Sequence, residues 1–200
     1  MKFILAEKLG MSQIFDDKGN VIPITVLQAG PCQITQIKTK EKDGYVAVQL
    51  GFKKIVKEKK IKKTMKGKEF KFLKEFRFDK PEECTFQAND QVVAASFQEG
   101  DVIKVSGMSK GKGFSGIIKR WHRGGRPATH GTKHEERNLG SIGSTGPQRV
   151  IKGKRMPGRA GFDRVTIKSA KVVKVDADNN LIAVRGAVPG RTGALLELRG

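Results

Sequence analysis

Acidic residues are scarce in this chain: 20 Asp and Glu stand against 40 Lys and Arg in 200 residues, a formal charge of +20 at neutral pH. Such a chain repels itself unless an anionic partner offsets its field, and solubility alone asks for a net charge of only roughly 2 to 8. Nucleic acid is the commonest polyanion to meet such a surface. Cysteine is nearly missing. Cys32 and Cys84 are far apart and outside any Cys-x-x-Cys pattern, which excludes a disulfide framework and points to a reducing compartment. Long apolar runs are missing too. The opening Met1-Lys2-Phe3-Ile4-Leu5-Ala6-Glu7-Lys8 meets charge at once, so neither a secretory signal nor a membrane span is expected, and the expected location is cytoplasmic.

What is present is distributed unevenly. Residues 107–161 hold 13 Lys or Arg against 2 Glu, all three His, the only Trp and 13 of the 24 Gly. A stretch so short of large apolar side chains is not expected to close a core, and its glycines leave the backbone free to approach something else closely. About half of its cations are Arg, whose planar fork bonds phosphate oxygens in a bidentate way and stacks on bases. A second basic run, residues 53–80, has 13 Lys or Arg against 4 acids. Gly67 would interrupt a long helix there, so a loop with a helical turn or two is expected, either a solvated insertion or a second nucleic-acid contact.

The remainder reads as β. Gln13–Phe15 and Val21–Leu27 flank the turn cluster Asp16-Asp17-Lys18-Gly19-Asn20, and Gln33–Lys38 and Tyr45–Phe52 flank Glu41-Lys42-Asp43-Gly44, as in two hairpins. Alternation of Val46, Val48, Leu50 and Phe52 turns one face of that strand to a core. Further strands are expected at Asp90–Ser96 and Asp101–Ser106, joined through Gln98-Glu99-Gly100. Others follow at Arg164–Val175, Leu181–Arg185 and Ala194–Leu198. Two or three strands alone would be marginal, so both ends of the chain are expected to combine in one mainly β, antiparallel barrel. Its domain would comprise residues 1–106 and 162–200, with 107–161 as an extended loop between two strands.

Several motifs compete for the basic segment. Gly111-Lys112-Gly113-Phe114-Ser115-Gly116 matches G-x-G-x-x-G after a credible strand, with Glu135 and Glu136 about twenty residues on. Its context is wrong for a dinucleotide, because Gly124-Gly125, Pro127 and Gly131 lie where a crossover helix should run. The P-loop spacing also fails, with Gly113 where Ser or Thr would hold magnesium. His130 and His134 are four apart, yet Gly131 weakens a helix and no third ligand is near, so no metal is expected. No Ser/His/Asp order, activated cysteine or carboxylate pair can be argued, so no enzymatic activity, cofactor or small-molecule substrate is expected. Trp121 reads either as a local core residue or, among Lys119, Arg120, His122 and Arg123, as a stacking platform for an unpaired base. Without a recognition-helix pattern for the DNA major groove, folded RNA suits the segment better. The candidate RNA-binding residues are Lys110, Lys112, Lys119, Arg120, Trp121, His122, Arg123, Arg126, His130, Lys133, Arg137, Arg149, Lys152, Lys154, Arg155 and Arg159.

Five runs in this region fall in a familiar order and spacing: Gly107-Met108-Ser109-Lys110-Gly111-Lys112-Gly113-Phe114, Lys119-Arg120-Trp121, Ala128-Thr129-His130-Gly131, Gly140-Ser141-Ile142-Gly143, and Arg149-Val150-Ile151-Lys152-Gly153-Lys154-Arg155-Met156-Pro157-Gly158. With Gly10-Met11-Ser12-Gln13-Ile14-Phe15 and Asn180-Leu181-Ile182-Ala183-Val184-Arg185-Gly186-Ala187-Val188-Pro189-Gly190, the chain resembles, end to end, the universal large-subunit ribosomal protein L-three family, bacterial type. That resemblance implies a split β-barrel of the translation-protein type and a long extension, about Lys110 to Arg159, threading ribosomal RNA toward the peptidyl transferase centre. Its tip would be Gly140, Ser141, Ile142, Gly143, Ser144 and Thr145. The resemblance also implies a part in early subunit assembly. The partners would be large-subunit RNA and neighbouring large-subunit proteins, with no membrane. The chain departs from the family's common form at Glu136-Arg137 and Leu139, where His-Arg and a proline are frequent. A non-ribosomal RNA chaperone or translation factor is the alternative.

Overall fold

A computed structural model describes residues 2–57, 61–78 and 86–200. Cys84 and parts of the second basic run (58–60, 79 and 80) lie outside the described residues. The chain divides into two compact units, one of Met1–Met108 with Arg164–Gly200 and one of Ser109–Asp163.

The first unit is built almost wholly from strands: β1 (Phe3–Phe15), β2 (Val21–Ala29), β3 (Cys32–Lys38), β4 (Ala47–Lys54), β5 (Phe70–Arg77), β6 (Gln91–Val92) and β7 (Val102–Met108), then β10 (Arg164–Asp176), β11 (Leu181–Arg185) and β12 (Leu195–Arg199). A single-turn helix, α1 (Lys40–Asp43), lies between β3 and β4. Six strands close an antiparallel barrel in the order β1-β12-β7-β10-β11-β2, and a second sheet runs β5-β4-β3-β6. The mainly β reading therefore holds, and strands from both ends of the chain meet, with β1 paired to β12 from Phe3↔Arg199 to Glu7↔Leu195.

Burial explains the pattern. In β7, β11 and β12 every second residue is buried, which places Ile103, Val105, Ile182, Val184, Leu196 and Leu198 inside the barrel. At the start of β1, Phe3, Ile4, Leu5 and Ala6 are all buried, so this strand is covered on both faces. Phe3 supplies the second contact. Its ring stacks on Phe76 of β5 at 4.9 Å and meets Phe78 and Phe86 edge-on at 5.6 and 5.2 Å, joining barrel and second sheet in one core. Beyond a bulge between Lys8 and Gly10 the same strand is exposed. Lys8 is buried at that bulge, where its ammonium donates to the Val188 and Gly190 carbonyls at 2.9 and 3.2 Å.

Two expectations are corrected. Among the described residues of 53–80, β4 runs to Lys54 and a short 3-10 turn at Lys63–Met65 matches the expected helical turn, but Phe70–Arg77, expected as loop, forms an edge strand. Phe70 and Phe76 are buried and Phe72 half-buried, a period-two signal hidden among lysines. Asp90–Ser96, expected as one strand, is a strand only at Gln91–Val92, and Ala94–Ser96 forms a 3-10 turn. Gln91–Val92 joins β3 in the second sheet, while β7 lies between β12 and β10 of the barrel.

Candidate nucleic-acid interface

Residues 109–163 connect β7 to β10 in sequence and fold as a unit of their own. Main-chain pairing joins the two legs. Ser109 N–H donates to the Asp163 carbonyl (2.9 Å), Lys112 N–H to that of Ala160 (2.9 Å) and Ala160 N–H to that of Gly113 (2.9 Å). The two-residue strands β8 (Phe114–Ser115) and β9 (Gly158–Arg159) continue the ladder. Gly161 sits at φ +71°, and a Cβ there would run into the Lys110 carbonyl, so only glycine lets the legs close at this height.

A five-residue helix, α2 (Ile117–Trp121), follows and ends at His122 in the left-handed conformation. It carries a clasp. Arg120 Nη1 and Trp121 Nε1 both donate to the Met156 carbonyl, at 2.9 and 3.0 Å, tying the outgoing leg to the returning one. The guanidinium groups of Arg120 and Arg155 lie 4.9 and 5.5 Å from the Trp121 ring centroid. Trp121 is therefore not a core residue, being 38 % exposed with its indole N–H engaged and two guanidinium groups beside its ring. Ser115 and Ile117 are the buried residues of this unit, so polar main-chain contacts hold it together. Sequence reasoning missed the Met156 carbonyl, because a main-chain acceptor thirty-five residues from its donor leaves no residue-type signal.

Among the named cations, Arg120 is half-buried and Lys110, Lys112, Lys119, Arg123, Arg126, Lys133, Arg137, Arg149, Lys152, Lys154, Arg155 and Arg159 are exposed, as are His122 and His130. Arg126–Glu135 is the one ion pair of this unit among the described residues. Arg159 lies over the Phe162 ring at 4.7 Å. Six of the named residues come together around one concavity of about 960 Å³: Lys112, Lys119, His122, Arg123, Arg126 and Arg137 line it with Gly116, Ile117, Ile118, Gly125 and Glu136. Lys110, Lys133, Arg149, Lys152 and Lys154 do not line it. The segment Gly140–Thr145 is exposed throughout, with Ser141 Oγ donating to the Gly143 carbonyl at 2.8 Å.

Gly111–Gly116 contains the two-residue β8 and leads into the five-residue α2, with no crossover helix. No group of three or more His, Cys, Asp or Glu able to hold a metal occurs among the described residues, and none of their helices is long and apolar enough to cross a membrane.

Comparison with known proteins agrees with this description. The profile of the family described as Ribosomal protein L3 matches residues 36–180. Over 207 residues the chain is 49 % identical to the large ribosomal subunit protein uL3 of Fervidobacterium nodosum, covering all of this chain and 98 % of that protein. It is 48 % identical to the protein of that name from Thermosipho africanus, again with 100 % and 98 % covered. The protein from Dehalococcoides mccartyi is 43 % identical, with 98 % and 96 % covered. A match across most of the chain, with relatives aligned end to end at nearly half identity, leaves one conclusion: this chain belongs to the ribosomal protein L3 family.

Proposed function

We propose that the chain is a structural constituent of the large subunit of a bacterial-type ribosome and holds large-subunit RNA chiefly through residues 109–163. In this reading the six-stranded body is a split β-barrel of the translation-protein type docked on RNA. Residues 107–161 are then its basic extension, with the sixteen candidate residues meeting phosphates, riboses and looped-out bases. The tip, Gly140 to Thr145, reaches toward the peptidyl transferase centre. Peptide-bond chemistry stays with RNA, and the protein is no enzyme. Early binding helps the subunit RNA fold, beside neighbouring large-subunit proteins, in the cytoplasm.

One observation carries this reading. The unit 109–163 displays 13 Lys and Arg, and a single protein carboxylate, that of Glu135, pairs with any of them among the described residues. Cations left without a carboxylate partner draw their binding free energy from released phosphate counterions. The test is sedimentation of cell extract followed by crosslinking to RNA. The protein should stay with the large subunit through a moderate salt wash and crosslink to RNA from within 109–163. Release in a gentle wash would favour a chaperone or translation factor instead.

A further inference from the structure

The concavity beside α2 has a chemistry that phosphate binding does not use. Ile118 and Gly125 line it side by side: a Cβ at 125 would meet the Glu136 carbonyl oxygen at 2.8 Å and Ile118 Cδ1 at 3.1 Å. Lys119 and Arg123 line it too. At about 960 Å³ it falls at the upper end of the roughly 300–1,000 Å³ typical of small-molecule sites. Glu136 lines it as well. Arg126 N–H donates to the Glu136 carbonyl at 3.1 Å, which fixes the main chain, while the Arg126 guanidinium goes to Glu135. Glu136 is left, among the described residues, without an ion pair in a strongly basic wall.

An unpaired carboxylate repels phosphate, so a site meant for backbone alone would do better without it. A carboxylate only accepts hydrogen bonds. Of the four RNA bases, guanine alone offers two adjacent donors on its pairing edge, N1–H and N2–H. Adenine and cytosine place a ring acceptor beside their single amine, and uracil flanks its one donor with two carbonyl oxygens. Resting on the RNA-binding reading above, we propose that this concavity takes one unpaired guanine of the RNA. The base stacks on Ile118 and Gly125, donates N1–H and N2–H to Glu136, and has its phosphate held by Lys119 and Arg123.

The test uses the full chain, large-subunit RNA and a reagent that modifies guanine at N1 and N2. One guanine should be shielded by the natural protein and become reactive with Glu136→Gln, whose amide nitrogen would face the base donors. That substitution should also weaken binding roughly 5- to 150-fold, the range of one well-placed bidentate base contact. The salt dependence of binding and the thermal transition of the barrel should not change. Replacing the shielded guanine with inosine, which lacks the N2 amine, should weaken binding to the natural protein and leave Glu136→Gln nearly indifferent. Guanine shielding that survives Glu136→Gln unchanged would overturn the assignment while leaving the RNA-binding reading intact. Absence of any RNA binding by the natural protein would instead sink that reading. Saturable binding of free GMP, with no Glu136-dependent shielding in RNA, would overturn the assignment by giving the site to a free nucleotide.

Discussion

Replacing Trp121 with Phe tests the clasp that joins the two legs of residues 109–163. The substitution keeps an aromatic ring and removes the indole N–H that donates to Met156 at 3.0 Å. The Met156 carbonyl keeps its bond from Arg120 Nη1 at 2.9 Å, so no acceptor is orphaned, and the loss is that of one partly exposed hydrogen bond, about 0.5–1.5 kcal/mol. Arg120 and Arg155 lie over the ring, and a phenyl face attracts them less than an indole does, which adds a few tenths of a kcal/mol. A total of about 1 kcal/mol raises the local opening equilibrium roughly fivefold. Native-state hydrogen exchange reads this at the Arg120 amide, bonded to the Gly116 carbonyl at 2.9 Å, and at the Lys112 and Ala160 amides of the ladder. Exchange there should quicken about fivefold in the free protein, while the barrel amide of Val172, bonded to Asp101, stays unchanged. Unaltered exchange at all three amides of the segment would refute the clasp. Equal acceleration in the barrel would show that the residue acts on global stability instead.

Three other outcomes follow from the first unit. Gly51 lies under the ring of Phe70, where any Cβ would overlap the aromatic carbons, so Gly51→Val should expose Phe70 and lower unfolding free energy by about 1–3 kcal/mol in urea melts; an unchanged midpoint would contradict that packing. Hydrogen bonding from Lys38 holds the Glu75 carboxyl below its usual range, and Lys2 does the same for Asp101. Both folded values are depressed, so their stabilisation is complete above the unfolded values of about 4 and is lost as pH falls through the folded ones. Glu75→Gln should therefore flatten the acid limb of stability below about pH 4, and an identical limb would count against the pairing. Burial pushes the Cys32 thiol up to about 12. Alkylation of Cys32 at pH 8, mapped by mass spectrometry, should then track opening of the core, and fast labelling of the native protein would contradict its burial.

Strands with one face on the core were legible in the sequence, because Val102–Met108 and Leu181–Arg185 alternate cleanly and turns such as Asp16–Asn20 carry their own chemistry. The strand Phe70–Arg77 was not, since its lysines lowered the local apolar content and Lys74, exposed between Phe72 and Phe76, interrupts the period. Asp90–Ser96 misled for the opposite reason. Val92 is buried as a strand residue should be, but its partner is Cys32 in another sheet, and pairing across sixty residues has no local signature. In the candidate interface, the identity of the cations was readable from composition. Their grouping around the concavity was not, because it depends on the Arg126–Glu136 main-chain bond and on the clasp at Met156. Glu136 read only as a departure from the family's common form, and the basic residues that line the concavity with it give that departure a chemical setting.

The salt dependence of affinity for large-subunit RNA tests the central claim most directly, since each phosphate met by a cation steepens the log–log slope by about 0.7 on single strands and about 0.9 on duplex. If most of the 13 cations of residues 109–163 engage phosphates, the slope should be on the order of −5 to −9, and changing Lys152, Lys154 and Arg155 together to Ala should flatten it by about 2 to 3. A slope near zero, or one that the triple substitution leaves unchanged, would contradict the account.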